Sequence, residues 1–231
     1  MRRGLLSYSI VSSQKQDEGN HYRGSNFINC TLRDEGVTIK TSTSKRLSTV
    51  AVLAALGNVL SFISIQLSPI VPSIPLGPVS FSLALDLSHL ATFTAAFLGG
   101  PIIGGLTGAV GGLVAAFQFG FSQGNIITGI GLPLGKAMTG ILAGLLFKRI
   151  HKLDWRTSIV TVTSYIPEAI FTIILFVYLY PIIYGLPTAV AQLVATQIVV
   201  KAFVEMIILG IILSLILNNN GFKSITRALF S

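Results

Sequence analysis

Residues 81–113 read FSLALDLSHLATFTAAFLGGPIIGGLTGAVGGL, and their only ionisable side chains are Asp86 and His89. A bilayer core about 30 Å thick takes about 20 apolar residues per helix. The run is long enough for most of two such helices, with Gly99-Gly100-Pro101 as the break between them, because proline ends a helical hydrogen-bond ladder. The question is why a carboxylate and an imidazole sit three residues apart in such a run.

The rest of the chain repeats the pattern. Of 231 residues, 52% are hydrophobic and only 10% charged, where a soluble domain carries about 25% charged residues. Mean hydropathy is +0.76. From residue 47 to 217 the sequence is almost continuously apolar. The alternating ten-residue signature of a membrane barrel is absent. The fold class is therefore all-α, a polytopic membrane protein.

Six spans are expected, at 47–66, 81–99, 101–119, 125–147, 157–180 and 188–217. Residues 1–44, polar and without helical or strand periodicity, read as a flexible cytoplasmic tail. Residues 45–219 form the membrane domain, and 220–231 a short cytoplasmic tail. Orientation follows from the basic residues. Eight of the sixteen Lys and Arg fall in the first 46 residues. Lys148, Arg149, Lys152 and Arg156 lie between the fourth and fifth spans, and Lys223 and Arg227 follow the sixth. The loops at 67–80, 120–124 and 181–187 hold no Lys or Arg. An even span count puts every basic cluster on one side, so both termini are expected in the cytoplasm. Trp155, and Tyr178, Tyr180 and Tyr184, fit the two interfacial belts. The Asn29-Cys30-Thr31 triplet falls on the cytoplasmic side, and the single Cys30 excludes an intrachain disulfide.

The first outer loop, QLSPIVPSIPLGP at 66–78, carries four prolines. It is stiff and cannot become a helix, so it serves either as a lid or as a plain connector. The third span carries a small-residue ridge, Gly104, Gly108, Gly112, Ala116 and Gly120, and the fourth a row of Gly131, Gly135, Thr139 and Ala143. Such ridges let helix backbones approach closely in lipid. GLPLGKA at 131–137 only mimics a nucleotide-binding loop. Ile130 and Ala137 stand where that motif needs Gly and Ser or Thr.

The costly residues inside the spans are Asp86, His89, Lys136, Glu168, Lys201 and Glu205, each about 2.5–3.5 kcal/mol near a helix centre. Such residues face the bundle interior, paired or functional. Asp86 and His89 share a face one to two turns below the outer surface. Gln197, Lys201 and Glu205 form a ridge at four-residue spacing, with Gln192 and Thr196 beside it. One reading is internal pairing, Lys201 with Glu205 and Lys136 with Glu168. The other is an outward-facing cavity that binds a small molecule through Asp86, His89, Asn125, Lys136, Gln192, Gln197 and Lys201. Glu168 and Glu205 then serve as structural ion pairs or proton sites. No His-Glu-x-x-His or Gly-x-Ser-x-Gly motif lies in the spans, so no enzyme, metal or cofactor is expected.

Residues 81–113 resemble the substrate-binding S components of energy-coupling factor (ECF) transporters. There an Asp-containing start to the second span runs into a Gly-Pro turn and a glycine-rich third span. The resemblance covers 47–217. It implies a subunit that takes a vitamin-like micronutrient from outside, with a transmembrane coupling subunit and ATPase subunits driving release. It also implies that small residues on the first span, here Ala51 and Ala55, touch the coupling subunit. Metal-specific relatives carry His after the initiator Met, and Arg2 stands there instead. With Trp155 on the inner side, Phe117, Phe119, Phe121 or the outer tyrosines are left to stack on a substrate ring. The competing readings are a stand-alone proton-coupled transporter, using Asp86, Glu168 and Glu205, and a structural membrane protein.

Overall fold

A computed structural model describes residues 30–32, 37–39, 43–70, 73–76, 79–82, 85–150, 155–222 and 224. Most of both tails, His151 and Lys152 lie outside the described residues. Within the N-terminal tail, β1 (Cys30–Leu32) pairs antiparallel with β2 (Val37–Ile39). Helix α1 (Thr43–Leu67) follows, then β3 (Ser73–Leu76) and β4 (Val79–Ser82). The remaining helices are α2 (Ser88–Gly111), α3 (Leu113–Phe119), α4 (Ile126–Phe147), α5 (Trp155–Ile174), α6 (Tyr180–Tyr184) and α7 (Thr188–Asn218). A π-helical turn, Leu175–Leu179, joins α5 to α6.

Among the described residues, five helical stretches are long and apolar enough to cross a membrane: Ser44–Leu67, Ser88–Gln123, Ile126–Phe147, Trp155–Tyr184 and Thr188–Asn218. The second, at 36 residues, would measure about 54 Å if straight, far more than a bilayer core. It is not straight. Gly100 has φ 77° and ψ −166°, a conformation open to glycine alone, and Pro101 starts the next limb without needing a hydrogen-bond donor. A Cβ on Gly57 of α1 would lie 3.5 Å from Ala91 Cβ and 3.4 Å from Gly111 Cα. Twenty residues of straight helix would separate those two by about 30 Å, so the limbs fold back on each other at Gly100.

The second limb of α2, with α3, packs on α4 through bare backbone. A Cβ on Gly104 would sit 2.5 Å from the Gly140 carbonyl oxygen, and one on Gly144 would sit 2.5 Å from Gly100 carbonyl carbon. Gly108 meets the Lys136 carbonyl and Gly120 meets Gly129 in the same way. The seam thus runs the length of α4. The expected row Gly131, Gly135 and Thr139 faces elsewhere: Gly131 meets Leu175, and Gly135 and Thr139 meet Glu168 of α5. Helix α4 has two small-residue rows, one for each neighbour.

The apolar core lies between α2, α4, α5 and α7, around Phe93, Phe147, Met206, Leu209 and Leu213. Gly210 lets α7 close on α5, where a Cβ would fall 2.5 Å from Ser158 Cα, and the Thr161 hydroxyl donates to the Met206 carbonyl at 2.9 Å. Asn58 of α1 closes the α2–α3 junction. It donates to the Val110 carbonyl at 2.9 Å and accepts from the Val114 N–H at 3.1 Å.

The proline-rich loop is a β-hairpin, with Ser73 opposite Ser82 and Leu76 opposite Val79, and β4 lies against α7. Two expectations change here. Residues 81 and 82 belong to β4, and helix begins only at Ser88.

Candidate functional site

Because α2 begins at Ser88 and turns at Gly100, its first limb is about 18 Å long, little more than half a bilayer core. Leu85 and Asp86 are non-helical, although Asp86 contacts Lys136 at the midpoint of α4. Irregular backbone at such depth survives only where protein satisfies it. Here two neighbours do so. The Leu87 N–H donates to Ser64 Oγ of α1 at 3.1 Å, and the Asp86 N–H donates to Glu205 Oε1 of α7 at 3.3 Å. Asp86 therefore lies just before the helix and not within a continuous second span that begins at residue 81. It precedes a half-helix whose first turn opens inside the bundle.

Asp86 organises that turn. Its Oδ1 accepts from the Ser88 N–H at 3.1 Å and from the Ser88 hydroxyl at 2.7 Å, capping orphan donors at the positive end of the helix dipole. Its Oδ2 takes the Lys136 ammonium at 2.8 Å. Lys136 also donates to Ser88 Oγ and is only 2% exposed. His89 Nε2 stands 3.9 Å from the same Oδ2. Its ring packs on Phe93 at 5.9 Å and edge-on to Tyr165 at 6.5 Å between centroids.

Lys136 therefore pairs with Asp86, and the expected Lys136–Glu168 pair does not form. Glu168 Oε2 instead accepts from the Thr139 hydroxyl at 2.6 Å. The expected Lys201–Glu205 pair is present at 3.4 Å. Asp86 lies within electrostatic reach of Glu168, Glu205 and Tyr165, and Lys136 within reach of Glu168. Together with His89, Ser88, Thr139 and Lys201 they form one polar cluster at the junction of α1, α2, α4, α5 and α7.

Gln197, one turn from Lys201 on α7, has its Nε2 buried without a hydrogen-bond partner among the described residues, and so has His89 Nδ1. Buried polar atoms normally have partners. Gln192 is exposed, with only its backbone carbonyl engaged by Thr196 at 2.8 Å.

Asn125 is not part of this cluster. It lies about 16 Å along α4 from Lys136, where its Oδ1 caps α4 by accepting the Thr128 N–H at 3.1 Å. Its amide and the Thr128 hydroxyl both bond the Tyr180 hydroxyl. Tyr180 in turn stacks on Phe176 at 4.5 Å, inside the π-helical turn, an irregularity common at functional sites. Ala51 and Ala55 are exposed on α1, opposite the buried line of Ala54, Gly57, Ser61 and Ser64.

Sequence reasoning missed Ser64, Ser88 and Tyr165, and placed Thr139 only in a packing row. A lone hydroxyl in an apolar span has no spacing signal. Only the polar residues it ends up beside mark it.

A family model described as ECF transporter, substrate-specific component matches residues 45–217. No curated protein matches the chain.

Proposed function

Since the chain belongs to the family of ECF transporter substrate-specific components, a multi-pass membrane protein that binds substrate and is no enzyme, we propose that it captures a vitamin-like micronutrient from outside the cell. The observation that carries this reading is the half-helix. A helix start opens beside the midpoint of α4 into a cluster of ionisable groups, and the hairpin that precedes it leans on α7. Half-helix termini at the bilayer midplane are a recurring device for holding small solutes in transporters.

In this reading the membrane unit is 45–219 and crosses six times, since the fold-back at Gly100 splits one apolar stretch into two crossings. That count puts Lys45, Lys148, Arg149 and Arg156 on the cytoplasmic side with both tails. The hairpin is the lid. Gln197 and His89 contact the ligand, with Lys201, held by Glu205, at the edge of the site and Asn125 and Gln192 along the route of entry. Asp86 and Lys136, already paired, hold the floor of the site and the lid's lower end. Ala51 and Ala55 present a smooth strip on α1 to a transmembrane coupling subunit, which with its ATPases drives release.

The purified chain should gain thermal stability from one member of a vitamin panel without ATP. In cells it should co-purify with ATPase subunits, and a double change Ala51→Trp with Ala55→Trp should abolish co-purification while leaving ligand binding intact. A chain that catalyses uptake alone in proteoliposomes, driven by a pH gradient, would sink the proposal.

A further inference from the structure

We propose that the site takes a cationic ligand, a protonated or quaternary amine, and that Glu168 supplies its counter-charge. The inference rests on the substrate-binding reading above and deepens it.

Three carboxylates meet two ammonium groups in the cluster, and the geometry assigns the pairs. Lys136 is spent on Asp86 at 2.8 Å and Lys201 on Glu205 at 3.4 Å. Glu168 is 7% exposed and receives only a neutral hydroxyl, from Thr139 at 2.6 Å. Among the described residues no cation forms an ion pair or hydrogen bond with it, and the Lys136 charge acts on it only from a distance. A buried carboxylate left that way is costly while ionised, and either a proton or a cation removes that cost.

His89 is not placed to be that cation. It stands 3.9 Å from an oxygen that Lys136 already holds, and Nδ1 has no partner. An imidazolium there would bury an unpaired N–H beside a second positive charge. The neutral ring instead offers a bare acceptor nitrogen. Glu168 and His89 thus both want donors, and Tyr165 links them: it is edge-on to His89 and three residues before Glu168, on the same face of α5.

The Glu168 side chain packs between bare backbone and an aromatic ring. Gly135 faces the Glu168 side chain with bare backbone, and a Cβ there would lie 3.0 Å from Glu168 Cγ and 3.3 Å from Oε1. The Tyr165 ring, itself edge-on to Phe203 at 5.4 Å, adds an aromatic surface that attracts cations. An anionic ligand would meet an uncompensated carboxylate with no free ammonium to receive it.

The test uses the full chain in detergent, with charge-graded probes: thiamine, pyridoxamine and choline as cations, riboflavin and nicotinamide as neutral compounds, biotin and pantothenate as anions. A cation should raise the melting temperature and the others should not. Glu168→Gln should weaken that cation by about 30-fold or more, and Glu168→Asp by less, with neither lowering the melting temperature of the unliganded chain. Stabilisation by a neutral or anionic probe alone, or unchanged affinity in Glu168→Gln, overturns the inference and leaves the substrate-binding reading standing. Silence from all seven probes counts against both.

Discussion

Lys136→Met tests the centre of the bundle. Methionine keeps most of the side-chain volume and deletes the charge, so Asp86 loses the ammonium at 2.8 Å and Ser88 Oγ loses its donor. Removing one partner of a buried ion pair costs about 3–5 kcal/mol, whereas replacing both is often nearly neutral. The Asp86 side chain keeps 31% exposure, so the lower end, about 3 kcal/mol, applies. That is about two decades in the folding equilibrium. Asp86→Asn alone should cost at least as much, since it strands the more deeply buried partner. The double variant removes both charges, and Asn Oδ1 can still accept the Ser88 N–H now taken by Asp86. It should recover about 2 kcal/mol of the loss. Reversible unfolding of each variant in mixed micelles, followed by far-UV circular dichroism, measures all three. If the two single costs simply add in the double variant, the residues are uncoupled and Asp86–Lys136 is not what pins the half-helix.

Gly140→Ala should abolish folding or cost about 3 kcal/mol or more, because its Cβ would enter the Gly104 carbonyl across the α2–α4 seam. Gly185→Ala, at φ 65° in open space, should cost only about 1–2 kcal/mol of backbone strain, and equal losses in the same unfolding assay would refute the seam. Tyr180→Phe removes the hydroxyl bonded by Asn125 and Thr128. It should cost about 1–2 kcal/mol and loosen the start of α4, read as faster amide exchange over residues 126–129. In a Cys30→Ser background, Ser122→Cys and Tyr184→Cys should react with a membrane-impermeant maleimide on whole cells, and Lys148→Cys only after permeabilisation. Reaction of all three from the outside would refute the six-crossing topology.

Much of the fold was legible because lipid leaves the chain few choices. Apolar runs of about 20 residues must be helices there, so α1, α4, α5 and α7 follow from length and hydropathy, and Gly100-Pro101 follows from the one dipeptide that both reverses and restarts a helix. The start of α2 was not legible. Leu83-Ala84-Leu85 before Asp86 is as apolar as the helix after it, so hydropathy runs straight through the point where strand gives way to helix. The local signal that survives is Asp86 itself, a residue type that prefers helix starts. An apolar flank on both sides makes such a residue look like an insertion into a span.

The charge pattern failed in a more instructive way. Counting acids and bases finds three carboxylates and two lysines in the spans, and spacing correctly joins Lys201 to Glu205 one turn apart. For Lys136 the sequence points to Glu168 and the structure gives Asp86, since pairing across helices depends on depth and rotation. Both are set by the glycine seam. Gly108 and Gly112 bring α2 against Lys136, where a Cβ on Gly112 would touch Lys136 Cδ at 3.3 Å. Gly135, one residue away and rotated by about 100°, faces Glu168. Small residues chosen for close packing thus decide which acid receives the lysine. The acid left with a hydroxyl alone is the one turned toward α4's other face.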